Sequence, residues 1–283
     1  MFDFSGKRPF DVPIVVVDTE TTGLHPGLGD RVVELGAVRL ENGKTVAQMS
    51  QLLSPNFPMS ATSTKISNIC DADLVGQPAF ADILPDFLRL IDGALLVAHN
   101  AQFDARFLSM ELLLAQGDSP RHQQKERPLP NPWLCTFQLA RRMIHFGSNS
   151  LKNIAHTLGV RVGRTHRALN DVFMTIGVLQ GMVRELQKQR YELLDDLLYL
   201  QGEPIFTPPP PDVYLPDLVL GAMENGRLLQ VQYRGKRKPQ TITIQPHYPT
   251  QHEGVPYLIA TNVEEKRRFP YRLDQISQVV TVS

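Results

Sequence analysis

A run of β-branched residues from Ile14 to Val17 ends in the acidic sequence Asp18-Thr19-Glu20. Such a run is typical of a buried central strand, because these side chains pack well on a pleated sheet. Side chains two apart on a strand share a face, so Asp18 and Glu20 would lie side by side. Adjacent carboxylates repel each other unless a hard cation such as Mg²⁺ or Mn²⁺ neutralises them. The segment therefore predicts a metal site; the alternative is a strand end whose acids cap the next turn.

Two later segments repeat the combination of an apolar stretch and an acid. Asp104 follows the apolar residues 95–98 at the start of a helical pattern, where it could equally be a first-turn residue favoured by the helix dipole. Asp171 opens a long helical pattern, five residues after His166. Five residues are about 140° of rotation on an ideal helix, so these two side chains cannot share a helical face. If both serve one site, His166 lies before the helix; alone, it is interpreted as a surface histidine.

Three motifs follow one another along the chain. They are Asp-x-Glu-Thr-Thr-Gly-Leu at 18–24, His-Asn-Ala-x-Phe-Asp at 99–104 and His-x-Ala-x-x-Asp at 166–171. In this order they resemble the DEDDh branch of the DEDD exonuclease superfamily, and the similarity covers roughly residues 11–185. The chain departs from many relatives at Ser67-Asn68, where they carry a His-Gly pair, and at Cys135, where an Asp often stands.

The resemblance implies a ribonuclease H-like fold and a metal-dependent 3′ to 5′ exonuclease. Such an enzyme releases nucleoside 5′-monophosphates from the 3′ end of single-stranded DNA or RNA. Two divalent cations, Mg²⁺ or Mn²⁺, would be held by the motif carboxylates Asp18, Glu20, Asp104 and Asp171. His166 would act as the general base, because the pKa of histidine lies near the working pH.

Three further residues are candidates for contacts with the substrate. Leu24 and Phe103 could pack against the terminal bases, because stacking on apolar or aromatic groups tolerates any base. Asn100 could bond the sugar or position Asp104. Each of the three could equally be a core or turn residue.

Composition favours an enzyme of the reducing cytosol. The 29 basic and 29 acidic residues cancel, so no global positive field attracts nucleic acid, although an exonuclease needs only a local groove. Cys70 and Cys135 have neither the number nor the spacing of a disulfide framework or a metal site. No apolar run approaches membrane-spanning length, and we expect no membrane partner and a cytoplasmic location.

The length of 283 residues suggests two domains. We expect an exonuclease domain at 1–201, a proline-rich linker at 202–216 and a small second domain at 217–283.

In the first domain, Asn42-Gly43 predicts a hairpin turn between strands 31–40 and 45–53. Other strands near 14–18, 94–98 and 132–136 alternate with helices, which predicts a mixed sheet; the helices lie near 79–91, 104–116, 137–145, 150–158 and 171–200.

The tail begins with a short helix at 218–225 and continues in five short strand patterns, broken by Gly235, Pro246 and Gly254. This predicts a small β-barrel. Tyr257-Leu258 and the run at 271–276 resemble the WYL domain, an Sm- or SH3-like barrel, although Pro256 replaces the tryptophan of its name. A small ligand or a protein partner is expected for this domain.

Basic residues cluster in the tail, which holds nine Lys/Arg and six Asp/Glu, a net charge of +3. Arg234, Lys236, Arg237 and Lys238 lie in one turn. A charge run of this kind is usually a solvated hairpin, and the alternative is a contact with nucleic acid.

Two alternatives to an exonuclease with a regulatory or substrate-contacting tail stay open. One is a catalytically silent binding module. The loss of a motif carboxylate or of His166 would have indicated such a module, and all of these residues are present. The other is a nucleic-acid-binding or ligand-sensing regulator that uses a nuclease-like fold, and the chain lacks a helix-turn-helix signature for that role.

Overall fold

A computed structural model describes residues 4–115, 129–143, 146–163, 167–209, 211–235 and 238–282. The chain divides into two compact units. The described residues of the first are 4–22, 32–115, 129–143, 146–163 and 167–208, and those of the second are 23–31, 209, 211–235 and 238–282.

A six-stranded mixed sheet forms the centre of the first unit, in the order β3-β2-β1-β4-β5-β6. Its strands are β1 (Ile14–Thr21), β2 (Val32–Glu41), β3 (Lys44–Leu52), β4 (Leu95–Ala98), β5 (Pro132–Cys135) and β6 (Ile205–Phe206). The pairs β1/β4 and β4/β5 are parallel and the others are antiparallel. Asn42 and Gly43 have φ of 50° and 72°, which the tight turn between β2 and β3 requires. The predicted mixed sheet and hairpin are confirmed.

Helices cover both faces of this sheet. They are α1 (Ala61–Ser67), α2 (Asp71–Leu74), α3 (Phe80–Ile91), α4 (Ala101–Ala115), α5 (Thr136–Met143), α6 (Leu151–Thr157), α7 (Ala168–Lys188) and α8 (Leu194–Gln201). Val15 and Val17 pack in a core with α3 and α4, whereas Ile14 and Val16 pack in a second core with α6 and α7. Because β1 is buried on both faces, its first four residues, 14–17, are all apolar. No helix within the described residues combines the length and apolar character needed to cross a membrane.

The prediction of a single helix from 171 to about 200 is wrong, because a short non-helical segment separates α7 from α8. Arg190 lies between them with φ of 66°, a left-handed conformation that ends a right-handed helix. The Asp196 carboxylate then accepts hydrogen bonds from the backbone N–H groups of Glu192 and Leu193, at 2.9 and 2.8 Å, and caps the start of α8. The leucines keep a helical spacing on both sides of this segment, so the sequence pattern did not indicate where the first helix ends.

β6 lies inside the segment 202–216 that the sequence assigns to the linker. It pairs antiparallel with β5. The Trp133 indole N–H donates to the Thr207 hydroxyl at 3.2 Å, and the Ser109 hydroxyl donates to the Pro208 carbonyl at 2.7 Å. Residues 205–208 are therefore integral to the first unit, whose boundary falls between Pro208 and Pro209.

The second unit contains a five-stranded antiparallel sheet in the order β10-β9-β8-β7-β11, with the short helix predicted near 218–225. Its elements are α9 (Asp217–Glu224), β7 (Leu228–Tyr233), β8 (Gln240–His252), β9 (Val255–Asn262), β10 (Arg267–Arg272) and β11 (Ile276–Val282). The predicted break at Pro246 is wrong: β8 continues through it, with a register shift between Pro246 and Tyr248. A bulge at this point accommodates a residue that lacks the N–H for the ladder.

Candidate active site

Three acidic side chains meet where β1 ends. Asp18 and Glu20 alternate in phase with Ile14 and Val16, so they point to the face of the sheet that α7 covers. Asp171 lies in the first turn of α7. One carboxylate oxygen from each of these three acids lies within 4.8 Å of the others. The structure thus brings together the acids of the first and third motifs.

An ion pair between a buried carboxylate and a half-exposed guanidinium fixes the start of α7. Glu34 on β2 is only 2% exposed, and it pairs with Arg167, whose Nη2 lies 3.0 Å from its Oε1 and whose Nε lies 3.2 Å from both carboxylate oxygens. The second carboxylate oxygen also accepts the Ala168 N–H at 3.1 Å, which caps the helix. Sequence reasoning assigned Glu34 no role. The signal was an acid inside the apolar strand pattern 32–38, because a buried charge needs a partner.

Gly36 allows α7 to approach the sheet. It pairs with Asp18 across β1 and β2. A Cβ atom at this position would lie 2.6 Å from the Ala168 carbonyl carbon and 2.7 Å from the Leu169 nitrogen. Both are backbone atoms, which cannot rotate away, so the first turn of α7 requires glycine here.

The Gly36→Ala variant should therefore lose activity. The added methyl group pushes the first turn of α7, with Asp171, away from β1. A displacement of about 1 Å can lower turnover by roughly 10²-fold, and we expect a loss of at least about tenfold. Initial rates on an end-labelled oligonucleotide measure it, with circular dichroism to verify folding. Gly221→Ala is the control, because nothing lies within 4 Å of a Cβ there. Full activity in folded Gly36→Ala would show that this approach is not needed.

Asp104 lies on the opposite side of β1, in the first turn of α4. The Thr19 hydroxyl donates a hydrogen bond of 2.8 Å to its Oδ1, and the contact is buried. Asp104 is not one of the acids that lie mutually within 4.8 Å, but its charge raises the pKa of Asp18. The second motif is therefore adjacent to the cluster and is held to β1 through Thr19.

Burial raises the pKa values of the acids at this site. Burial, followed by the charges of Asp104 and Asp171, raises the pKa of Asp18 well above its ordinary value. Burial and the charge of Asp171 raise the pKa of Glu20 to about 8, and burial raises the pKa of Asp104 to about 7 against the hydrogen bond from Thr19. Hard oxygen donors that resist ionisation in this way are suited to a divalent cation, whose charge would let them ionise together.

His99, the first residue of the second motif, forms hydrogen bonds to neighbouring segments through both ring nitrogens. Its Nδ1 lies 2.9 Å from the Thr136 hydroxyl and its Nε2 lies 3.0 Å from the Asn149 carbonyl oxygen. A carbonyl only accepts, so Nε2 carries the proton and Nδ1 accepts from the threonine. Burial lowers the pKa of His99 to about 4. A neutral His99 connects the end of β4 to neighbouring segments.

The remaining predicted site residues are dispersed. His166 lies outside the described residues, and its role as general base stays a prediction. Leu24 is 67% exposed and belongs to the second unit. Asn100 is exposed in the turn before α4, where its carbonyl accepts the Phe103 N–H at 2.8 Å. The partly buried Phe103 ring packs against Phe107, with 4.8 Å between centroids.

Part of the chain is similar to DNA polymerase III proteins. It is 35% identical over 181 residues to the DNA polymerase III subunit epsilon of Treponema pallidum, covering 63% of this chain and 80% of that protein. It is 34% identical over 178 residues to the PolC-type DNA polymerase III of Thermotoga maritima, covering 63% of this chain. The match spans only 12% of the length of that polymerase.

Solved structures of exonucleases share the fold. Exonuclease X, in complex with 5′ overhanging duplex DNA, matches with a TM-score of 0.51 and 27% identity, covering 67% of this chain and 99% of that chain. Exonuclease I of Escherichia coli, in complex with a dA16 oligonucleotide, matches with a TM-score of 0.52 over 89% of this chain and 55% of its own. At 15% identity the latter likeness concerns the fold alone. The ribonuclease H-like fold expected for the first unit is confirmed.

Family models match both parts of the chain. The exonuclease model matches residues 15–179, which include all three motifs, and the WYL domain model matches residues 215–281. Both predicted resemblances are confirmed. Because the first match spans more than half of the chain and contains the acidic cluster, the protein belongs to the exonuclease family of enzymes, in its DEDDh branch, and carries a WYL domain at its C-terminal end.

Proposed function

We propose that the protein is a 3′ to 5′ exonuclease that removes nucleoside 5′-monophosphates from the 3′ end of single-stranded DNA or RNA. The observation that carries this proposal is the convergence of Asp18, Glu20 and Asp171 at the end of β1, within a chain of the exonuclease family. Exonuclease structures with bound nucleic acid share the fold, which supports a nucleic-acid substrate.

Divalent cations, two of Mg²⁺ or Mn²⁺, would supply Lewis acidity for an in-line displacement at phosphorus. Asp18, Glu20 and Asp171 are the proposed ligands, with Asp104 as the fourth carboxylate. Their donor set fits these ions, because it offers several hard oxygens, and burial raises the pKa values of the carboxyl groups that carry them. Thr19 orients Asp104 through its hydrogen bond, and Glu34 with Arg167 holds the helix that carries Asp171.

His166 is the proposed general base. A water molecule attacks the terminal phosphodiester while a nitrogen of the imidazole accepts its proton, and the 3′ oxygen of the next nucleotide leaves. The products are a nucleoside 5′-monophosphate and a strand shortened by one residue. Leu24, Asn100 and Phe103 are the proposed contacts to the terminal nucleotide.

The C-terminal unit is proposed to be a regulatory or substrate-contacting domain, whose five strands close as a small Sm- or SH3-like barrel. The division into an exonuclease domain, a linker and a WYL domain stays a proposal, with the first domain extended to Pro208. A regulator that only binds nucleic acid is the second candidate, but the retained carboxylates of all three motifs favour catalysis.

Digestion of labelled oligonucleotides tests the activity. With an excess of Mg²⁺ or Mn²⁺, a 5′-labelled single strand should give a ladder that shortens with time. A 3′-labelled strand should release labelled nucleoside 5′-monophosphate at once. Duplex DNA and short RNA in parallel identify the substrate class, and EDTA should stop every reaction. Internal fragments without mononucleotide, or no product on any substrate with either metal, would contradict the proposal.

A further inference from the structure

The end of β1 is held by two kinds of contact. Up to Glu20 the strand pairs with β2 in a constant register, with Glu20 opposite Glu34, but the register shifts between Glu20 and Thr21. Such a shift disrupts the hydrogen-bond ladder locally, so pairing alone constrains the strand less at this point. The next residue, Thr22, is 6% exposed, and its carbonyl oxygen accepts a hydrogen bond from the Ser63 hydroxyl. The strand that carries Glu20 is therefore held at its end by a side chain of α1.

Two serine hydroxyls in the first turn of α1 set the direction of this hydrogen bond. Ser63 is only 7% exposed. The Ser60 hydroxyl oxygen accepts the Ser63 backbone N–H at 3.1 Å and lies 2.8 Å from the Ser63 hydroxyl oxygen. A hydroxyl has one proton to donate. Because the Ser63 proton is donated to the Thr22 carbonyl, Ser60 donates its own proton to Ser63, and the Ser63 hydroxyl is held from both sides.

The other end of α1 is anchored on β2. Asn68 ends the helix with φ of 54°, a left-handed conformation that asparagine tolerates. Ile69 then packs in a small core with Val33 of β2, and these two side chains are 2% and 0% exposed. Within the helix, the Ser67 hydroxyl donates to the Ser63 carbonyl oxygen at 3.0 Å. The helix is thus a fixed support from which Ser63 reaches the end of β1.

The chain after α1 also lies near the acidic cluster. The hydrogen bonds and the charge of Glu34 raise the pKa of Arg167, and the charges of Asp73 on α2 and of Glu20 raise it further. Asp73 and Glu20 therefore both lie within electrostatic range of one guanidinium. The segment from α1 to α2 borders the site at two points, through Ser63 at the end of β1 and through Asp73 near the start of α7.

We propose that Ser63 is a positioning residue of the metal site, because its hydroxyl fixes the end of β1 and with it the carboxylate of Glu20. The inference rests on the proposed exonuclease function and deepens it. Thr22 lies two residues from Glu20, about 7 Å along the strand. The backbone of Glu20 is therefore fixed on one side by its pairing with Glu34 and on the other by Ser63. A ligand that is already in place loses less freedom when a cation binds, so the cation binds more tightly.

The Ser63→Ala variant tests the proposal. It should bind Mn²⁺ roughly tenfold more weakly than the wild type, because groups that orient metal ligands typically contribute about 10- to 100-fold to metal affinity or activity. Calorimetric titration without substrate measures this affinity. In exonuclease assays the Mn²⁺ concentration that gives half the maximal rate should rise by the same factor. The KM for the oligonucleotide at saturating Mn²⁺ should change less than about twofold, because no contact with the substrate is removed.

Ser67→Ala is the matched control. Ser67 is 1% exposed on the same helix, and its hydroxyl donates to the Ser63 carbonyl oxygen and accepts the Ile69 N–H. Both variants remove a buried hydrogen bond, so both should lower the melting temperature, but Ser63→Ala alone should weaken metal binding. Ser63→Thr keeps the hydroxyl and should retain the wild-type affinity for Mn²⁺. Equal weakening in Ser67→Ala would reveal a general loss of stability and overturn the proposal.

A folded Ser63→Ala variant with wild-type affinity for Mn²⁺ would also refute the role of this hydroxyl. If Ser63→Ala does not fold, Ser63→Cys replaces the hydroxyl with a thiol, which is a weak donor, and the same comparison of Mn²⁺ affinities decides. Failure of the proposed function gives a different result. A wild-type protein that is inactive on every substrate refutes exonuclease activity itself, whereas an active wild type whose metal affinity does not depend on Ser63 refutes only the positioning role.

Discussion

The Asp18→Ala and Asp171→Ala variants should each lose hydrolysis by roughly 10³-fold, because each removes a ligand from one shared metal site and with it several kcal/mol of transition-state stabilisation. The double variant should be little worse than either single one, since residues that act as a unit give non-additive losses. Initial rates across a range of Mn²⁺ concentrations measure the effect. Glu185→Ala is a control for Asp171, because Glu185 lies on the same helix and pairs with Lys188 near its end, at 2.7 Å.

Stability gives the same variants a second readout. The pKa of Glu20 is raised to about 8 and that of Asp18 is raised in the same direction, so folding favours their protonated forms. In EDTA the melting temperature should therefore fall as pH rises from about 4.5 to about 8, and divalent metal should restore it. Asp18→Asn removes one of the repelling charges, so it should be inactive yet more stable than the wild type in EDTA at pH 8. Retained activity in the double variant, or in EDTA, would refute the metal site.

The His166→Ala variant should lower kcat by roughly 10²-fold or more while leaving metal and substrate binding nearly unchanged, because a general base acts in the transition state. Calorimetric titration with Mn²⁺ measures the metal affinity, and the fluorescence anisotropy of a labelled oligonucleotide measures the substrate affinity. The wild-type rate should rise with pH as an imidazole loses its proton, and this pH dependence should be absent from the variant.

An exposed histidine supplies the control for this experiment. His156→Ala on α6 should keep both the rate and its pH dependence, since His156 is exposed and has no assigned role. If His166→Ala instead kept its turnover and lost metal affinity, His166 would be a ligand and the assignment of a base would be wrong.

Local patterns carried much of the fold. Asn42-Gly43 specified a hairpin because both residues tolerate positive φ, and the apolar run before Asp18 specified a strand buried on two faces. Where the predicted elements were wrong, a local helix cap or a β-bulge determined the structure. Arg190 and Asp196 ended one helix and began another across continuous leucine spacing, and a bulge carried β8 past Pro246.

By itself the sequence determined the family, the motif acids and the two-part organisation, because their spacing along strands and helix starts is a local property of the chain. Only the tertiary structure decided what surrounds them. Glu34 and Gly36 matter because β2 crosses the start of α7, and no spacing rule reports such a contact. Likewise no pattern in the sequence indicated that the turn after the first motif contacts residues more than 200 positions away in the chain, as Gly27 does at Gln251. Contacts of that kind form only when the folded chain brings distant backbone together.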